Sequence, residues 1–190
     1  MLQEGRDDRQ TALKRQTSAF DLTLGIRLAY TLARMQSHEN LVSSYIAQAD
    51  ELERVLSAAP PETILRNPGE NRWSILQVVG HLADAELLAS VRIRRIITQD
   101  RTRLWGYQQE VWADRLGYQR RKLQTVLSRF ALLRRENGEL LADQSDGVWE
   151  QTAEHDLYGV LSLRQWIEDY LDHTAKHLNQ IRELIGSQNQ

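Results

Sequence analysis

The sequence predicts an all-α protein built as a four-helix bundle. Apolar residues recur mostly three and four positions apart, which is the spacing of a helix face, and few runs alternate as strands do. The three prolines, Pro60, Pro61 and Pro68, all lie within residues 59–70, so helices are free to form elsewhere. With 190 residues, 41% of them hydrophobic, the chain is long enough for one domain with a core, which argues against general disorder.

The first helix of the bundle is predicted over residues 40–58. Its apolar positions keep the helical spacing: Leu41, Tyr45, Ile46, Ala49, Leu52, Val55 and Leu56. The proline-containing stretch from Ala59 to Glu70 is predicted to form one loop, because proline ends helices.

The second helix is predicted to begin after Ser74 and to end near Gln99. Ser74 and Gln77 form the S-x-x-Q pattern of a capping box in front of a long apolar run. Residues 100–118 are less regular and rich in aromatic side chains. They are predicted to form a crossover with a short helix at residues 108–115, in which Tyr107 and its aromatic neighbours pack against one another rather than line a pocket.

The third and fourth helices complete the bundle. The third carries apolar residues at helical spacing between Leu123 and Leu141. The fourth opens with a second S-x-x-Q pattern at Ser162, and Gly186 suits its C-terminal end.

The predicted domain organisation is a bundle flanked by two short segments. Residues 40–186 form the bundle, and residues 187–190 form a tail. Residues 1–39 are predicted as an N-terminal extension, either an accessory helix or a flexible arm, because their apolar positions keep no clean period. Met35 would serve as an alternative start under this interpretation.

Three histidines form a candidate metal site. His173 and His177 lie four residues apart on the last helix, which places both imidazoles on one face, close enough to share an ion. His81 lies among apolar residues of the second helix and should also point towards the core edge. Such a ligand set is common for Zn²⁺, Ni²⁺ or Fe²⁺ and leaves positions open for water and substrate. The alternative is neutral, hydrogen-bonded core histidines that bind nothing.

The positions of the histidines along their helices favour one helix order. His81 lies about 10 Å from the start of its helix, and His177 lies about 12 Å from the end of its own. The two reach one level if the second and fourth helices are antiparallel, and they need an offset of one to two turns if the helices are parallel. An up-down-down-up bundle makes them antiparallel and requires a long crossover between the second and third helices. Residues 100–118 are long enough for it.

Composition excludes several classes of protein. A net charge of -2 disfavours a nucleic-acid binder that works by neutralising phosphates. The chain contains no Cys, so a disulfide framework, a protein thiol nucleophile and thiolate metal sites are excluded. No apolar run approaches the ~20 residues needed to cross a bilayer. The first nine residues lack the apolar segment of a secretory signal, so a cytoplasmic location with no membrane association is expected.

Two stretches resemble the signatures of the DinB/YfiT-like metalloenzymes. Residues 73–84, which contain Trp73, Ser74 and His81, are similar to the pattern W-S-x-x-x-v-x-x-H-l-x-d. Residues 173–181 are similar to the pattern H-x-x-x-H-x-x-Q-I, and residues 159–163 resemble the segment that opens the last helix. The resemblance covers residues 41–185.

This resemblance implies an up-down-down-up four-helix bundle with a divalent metal, usually Zn²⁺ or Ni²⁺. The matching ligands are His81, His173 and His177. Relatives include metal-dependent hydrolases and transferases or isomerases that use a low-molecular-weight thiol, and dimers are frequent among them. A small-molecule substrate and a homodimer are therefore expected. Because the chain has no Cys, a thiol would have to arrive as a cosubstrate.

The leading functional hypothesis is a metal-dependent enzyme, either a hydrolase that uses metal-activated water or a thiol-dependent transferase. His155 is the candidate for a further catalytic group, since it precedes the ligand-bearing helix, and the alternative is a solvent-exposed loop histidine. Asp84 is a candidate to orient a ligand, whereas Glu86 is predicted to lie on a solvated helix face. The competing hypothesis is a non-catalytic bundle, stress-associated or binding a small molecule, whose metal is structural or absent.

Overall fold

The computed structural model describes residues 37–70 and 72–186. The chain divides between Glu39 and Asn40, and apart from residues 37–39 the features below lie in the part that follows. Most of the predicted N-terminal extension and all of the tail, residues 187–190, lie outside the described residues. Their assignment stays a prediction.

Within the described residues, four long helices carry most of the chain: α1 (residues 37–57), α3 (Ile75–Thr98), α5 (Leu123–Ala142) and α7 (Leu163–Gly186). Shorter helices lie between them: α2 (Pro61–Leu65), α4 (Gln109–Arg115), a 3₁₀ turn (Tyr118–Arg120) and α6 (Asp146–Trp149). None of the described helices has both the length and the apolar character needed to cross a membrane. The predicted helical fold class is confirmed.

Both predicted capping boxes are present. The Ser74 hydroxyl accepts the Gln77 backbone N–H at 3.3 Å, and the Gln77 side-chain oxygen accepts the Ser74 N–H at 3.0 Å. Ser162 and Gln165 repeat this exchange at 3.3 and 2.9 Å. Each exchange satisfies helix N–H groups that would otherwise lack a partner, so these serines fix where α3 and α7 begin.

Contacts between α3 and its neighbours give the helix directions. Along α3, Asp84 pairs with Arg129 and the later Arg94 pairs with Glu136, so α3 and α5 run parallel. Helix α7 runs against them. The His81 ring lies 4.9 Å from the His177 ring, whereas Arg92, eleven residues further along α3, stacks on the earlier Trp166 of α7 at 5.3 Å.

Helix α1 runs parallel to α7. Gln48 donates to the backbone oxygen of Leu171 at 2.8 Å, and the later Glu51 pairs with the later Arg182. The directions of α1, α3, α5 and α7 therefore give an up-down-down-up order. Residues 99–122 make the crossover that two parallel successive helices require.

A small sheet joins the crossover to the segment before α7. Strand β1 (Thr102–Leu104) pairs in parallel with β2 (Thr152–His155), and β2 pairs antiparallel with β3 (Gly159–Ser162). The sequence does not predict this sheet, because strands of three or four residues are too short to show an alternating pattern. The sheet holds the crossover beside the opening of α7.

The predicted loop at residues 59–70 contains the one-turn helix α2. Pro61 occupies its first position, where the missing N–H of proline costs nothing and its fixed φ suits a helix. Proline here begins a helix rather than ending one, and the rest of the segment is irregular as predicted.

The prediction for Glu86 is wrong, because this residue lies inside the bundle and is 1% exposed. Its carboxylate accepts hydrogen bonds from the Tyr45 hydroxyl at 2.5 Å and from the Asn137 amide at 2.7 Å. Arg134, also 1% exposed, places its Nε 3.0 Å from the other carboxylate oxygen. Arg134 also donates to the Thr174 hydroxyl at 2.6 Å, so this ion pair ties α3, α5 and α7 together.

Candidate metal centre

The structure brings together the three histidines that the sequence singles out. One ring nitrogen from each of His81, His173 and His177 lies within 4.8 Å of the others. The Nε2 atoms of His81 and His173 are 3.0 Å apart, and the rings of His173 and His177 are centred 4.7 Å apart. Neighbouring nitrogen ligands of a tetrahedral zinc ion lie about 3.3 Å apart when the zinc–nitrogen bonds are 2.0–2.1 Å. The spacing therefore fits a shared cation.

The electrostatic state of the cluster also fits a metal. Burial, with the two neighbouring imidazoles, lowers the pKa of His81 to about 3. Burial, with His177 and Arg134, lowers the pKa of His173 to about 4, and burial lowers the pKa of His177. All three rings are therefore neutral at pH 7, which is the form of imidazole that binds metals.

Hydrogen bonds set the orientation of two of the rings. The Nδ1 atom of His177 lies 2.8 Å from the side-chain oxygen of Gln180. An amide oxygen only accepts, so Nδ1 carries the proton and Nε2 keeps a free lone pair. The Nδ1 atom of His81 lies 3.1 Å from the Tyr107 hydroxyl, which leaves its Nε2 facing His173. Such outer hydrogen bonds fix the tautomer of a metal-binding histidine.

A cavity of about 440 Å³ opens beside the cluster. His81 and His173 line one part of it, and the crossover, the β2–β3 hairpin and α7 supply the rest. Its other main lining residues are Arg92, Tyr107, His155, Leu157, Tyr158, Asp169 and Tyr170. The Trp73 ring packs against the His81 ring, with the ring centres 5.1 Å apart. The cluster therefore contacts protein at Trp73 and a cavity of ligand size at His81 and His173.

Comparison with known proteins agrees with this geometry. Residues 45–181 match the DinB superfamily. The chain belongs to this superfamily. A protein of Oceanobacillus iheyensis named "putative metal-dependent hydrolase" is 27% identical over 151 residues, covering 76% of this chain and 86% of that protein.

A solved structure has the same fold as this DinB-superfamily chain. YfiT from Bacillus subtilis, described as a probable metal-dependent hydrolase with an unusual four-helix bundle topology, superposes with a TM-score of 0.76. The match covers 81% of this chain and 89% of that chain at 17% identity. At this identity the likeness concerns the fold, and it supports the bundle that the sequence predicts.

His155 lies in strand β2 and lines the same cavity, so the alternative of a solvent-exposed loop histidine is wrong. It is 2% exposed, and its Nδ1 accepts the Leu157 backbone N–H at 3.1 Å. Burial and the nearby Arg92 guanidinium lower its pKa, which keeps the ring neutral at pH 7. Its proposed catalytic role stays a prediction.

Asp84 is not hydrogen-bonded to any histidine of the cluster in the described structure. One carboxylate oxygen accepts from the Tyr118 hydroxyl at 2.6 Å, and the other pairs with Arg129. Two other residues orient the histidine ligands: Gln180 contacts His177, and Tyr107, which is predicted to pack within the crossover, contacts His81. Gln180 was detectable as part of the resemblance pattern, whereas nothing in the sequence placed Tyr107 beside His81.

Proposed function

We propose that this protein is a metal-dependent hydrolase that acts on a small molecule. The observation that carries this proposal is the convergence of three neutral imidazoles, His81, His173 and His177, of which His81 and His173 line a cavity of about 440 Å³. A purely structural site would be expected to be enclosed on all sides, because structural zinc sites use four protein ligands. The names of the relatives from Oceanobacillus iheyensis and Bacillus subtilis support the same activity.

The three histidines would hold a divalent cation, with Zn²⁺ and Ni²⁺ as the first choices for an all-nitrogen ligand set and Fe²⁺ as a third. Such a cation supplies Lewis-acid chemistry, since it lowers the pKa of a water or thiol ligand towards neutrality. Gln180 holds the tautomer of His177, and Tyr107 orients the His81 ring. His155 offers a neutral polar edge to the cavity wall.

A thiol-dependent transferase is the second candidate, because the same open ligand set accepts a thiolate as readily as hydroxide. The chain has no Cys, so the thiol would enter the cavity as a cosubstrate. A non-catalytic bundle is the third candidate.

The homodimer and the cytoplasmic location expected from the sequence remain predictions. Light scattering of the purified protein tests the homodimer.

The experiment that tests the proposal joins metal analysis to activity. Protein purified without a histidine tag is analysed for bound metal, loaded with Zn²⁺ or Ni²⁺, and assayed on panels of esters, amides and thiol-conjugation substrates. We expect about one metal ion per chain, and hydrolysis that is lost in His177→Ala while circular dichroism shows an unchanged helix content. Lys176→Ala is the matched control, because this exposed neighbour lies between the two ligands of α7.

Three outcomes separate the candidates. Turnover only in the presence of a small thiol favours the transferase. A large loss of thermal stability with a chelator, without turnover on any panel, indicates a structural metal. Absence of stoichiometric metal after loading contradicts the proposed function altogether.

A further inference from the structure

Arg92 is a half-buried cation on the cavity wall whose hydrogen bonds go to neutral groups. Its guanidinium donates to the Tyr170 hydroxyl at 3.1 Å and to the backbone oxygen of Trp105 at 2.7 Å. It also stacks on the Trp166 ring at 5.3 Å and approaches Nε2 of His155 to 3.3 Å. Within residues 37–70 and 72–186, it forms no ion pair with a carboxylate.

Arg95, on the same helix, likewise pairs with no carboxylate in the described residues; it donates to the Thr102 hydroxyl and lies outside the cavity lining. Three other arginines of the bundle each pair with a carboxylate. Arg94, two residues further along α3, pairs with Glu136. Arg129 pairs with Asp84, and the fully buried Arg134 pairs with Glu86. Half-burial beside a cavity raises the free energy of a guanidinium that has no opposite charge next to it. A ligand whose negative charge lies beside Arg92 would lower that free energy.

The guanidinium of Arg92 is also held in a fixed orientation before such a ligand binds. An arginine has five N–H donors, and the hydrogen bonds to Tyr170 and Trp105 use two of them. These bonds and the Trp166 ring fix the plane of the group before any ligand arrives, which lowers the entropic cost of binding. The remaining donors match the geometry of a carboxylate or phosphate oxygen pair.

We propose that Arg92 is the binding site for an oxyanion on the substrate, so that the substrate class is an elongated small molecule with a carboxylate or phosphate group at one end. This deepens the proposed function and rests on it only for the identity of the reacting group. The residue acts as a specificity determinant, because it would favour a charged substrate over its neutral analogue of equal shape.

The positions of the two groups set the length of that substrate. Arg92 lies eleven residues beyond His81 on α3, a separation of about 16 Å along the helix axis. Its side chain shortens this distance, because it reaches Tyr170, which is one turn from the ligand His173 on α7. A molecule that touches both therefore needs several bonds between its anionic group and its reacting centre.

Two carboxylates on the cavity lining affect how strongly the cavity attracts an anionic ligand. Asp169 and Glu110 both line the cavity, and both are exposed at its rim. Partial burial and the neighbouring Asp172 raise the pKa of Asp169, whereas the nearby Arg92 lowers it; the two form no ion pair in the described structure. These groups repel an anion from the rim, so an effect of Arg92 on binding has to be measured apart from the overall charge of the cavity.

The test is a binding experiment on metal-free protein with 3-phenylpropionate, its neutral amide 3-phenylpropionamide, and phenyl phosphate as probes. Nuclear magnetic resonance titrations give the dissociation constants for wild type and variants in the presence of a chelator. We expect the acid to bind about tenfold more tightly than the amide in wild type, and Arg92→Gln to remove that difference. Arg103→Gln, at a position 75% exposed and outside the cavity lining, should leave it unchanged.

Further variants keep the proposal falsifiable. Thermal melting shows whether Arg92→Gln alters the fold. If it does, Arg92→Lys is the second variant: it retains the charge and should keep part of the preference for the acid over the amide. Asp169→Asn should preserve or increase the preference. If Asp169→Asn abolishes the preference while Arg92 is intact, or if Arg92→Gln has no larger effect than Arg103→Gln, the assignment to Arg92 is overturned.

The outcomes also separate this inference from the proposed function. An Arg92-dependent preference for phenyl phosphate over the carboxylate supports the oxyanion site and identifies the phosphate as its source. Equal binding of acid and amide by a protein that still takes up zinc overturns the inference and leaves the hydrolase proposal standing. An Arg92-dependent preference in a protein that takes up no zinc supports the inference and removes the hydrolase.

Discussion

The Nε2 atoms of His81 and His173 lie 3.0 Å apart, although 92 residues separate them in the chain. Two neutral imidazoles hold this distance only when one ring donates its N–H to the lone pair of the other. A cation that binds both nitrogens must displace that proton to the ring's other nitrogen. Metal binding is therefore coupled to the side chains that accept a hydrogen bond from Nδ1 of the ligand histidines. Replacing such a side chain should change the metal affinity.

Gln180→Ala should weaken zinc binding by about 10- to 100-fold, the range expected when the partner of a ligating histidine is removed. The reason is that the Gln180 oxygen holds the proton on His177 Nδ1. Competition with a chromophoric zinc chelator measures the affinity. Gln180→Glu keeps an acceptor at this position and is the matched control. Equal affinities for wild type and Gln180→Ala would contradict the orienting role.

The stability of the metal-free protein should fall in acid. The folded-state pKa values of His81 and His173, about 3 and 4, lie below the value of ~6.5 for an exposed histidine. The unfolded chain therefore binds more protons below pH 6.5, and the stability contributed by the neutral rings is full above that pH and is lost as the pH falls. Each ring contributes a decrease of up to about 2 kcal/mol between pH 6.5 and 5.

Urea unfolding in the presence of a chelator, from pH 7.5 to 5, measures this slope. His81→Gln removes one of the two groups and should give a shallower dependence than wild type. A wild-type free energy of unfolding that stays constant across this range would show that the rings are not buried in the neutral state.

Arg134→Met should destabilise the bundle by about 3–5 kcal/mol, because it leaves the Glu86 carboxylate buried without its opposite charge. The double variant with Glu86→Leu should recover part of this loss, since it removes the stranded charge as well. Chemical denaturation followed by circular dichroism gives the free energies. Glu168→Ala, in the partly exposed pair with Arg164, is the control and should change stability by less than about 1 kcal/mol.

Gly138→Ala should destabilise the protein by about 1–3 kcal/mol, although alanine is favoured over glycine by about 1 kcal/mol inside an unhindered helix. A Cβ at this position of α5 would overlap the Ile46 side chain of α1. Thermal melting measures the effect, and adding Ile46→Ala should return part of the loss. A rise in melting temperature for Gly138→Ala alone would mean that the two helices do not approach as closely as described.

Helix beginnings and the histidine cluster could be predicted because local chemistry determines them. The capping boxes at Ser74 and Ser162 depend only on residues three positions apart, and each begins a helix as predicted. The convergence of His81 with His173 and His177 needs one long-range assumption, the antiparallel direction of the two helices. The positions of the histidines within those helices suggest that direction.

The remaining features depend on partners from distant parts of the chain. Glu86 carries a charge, which predicts a solvated position, although it lies four residues after Leu82 on the apolar face; Arg134 on another helix supplies the opposite charge that makes its burial tolerable. Strand β1 exists because β2 pairs with it about fifty residues later, and three residues give no pattern of their own. Tyr107 and Arg92 acquire their contacts when this sheet places the crossover over the cavity. No local sequence pattern predicts such contacts.

The ligands of the candidate centre come from two helices that are far apart along the chain. An ion gripped by both would tie the middle of the polypeptide to its last helix, as a disulfide does in secreted proteins, and it would restrict the unfolded ensemble by closing a loop of 92 residues. This chain, which contains no cysteine, would in this way have a reversible cross-link whose stabilising effect depends on the concentration of free metal.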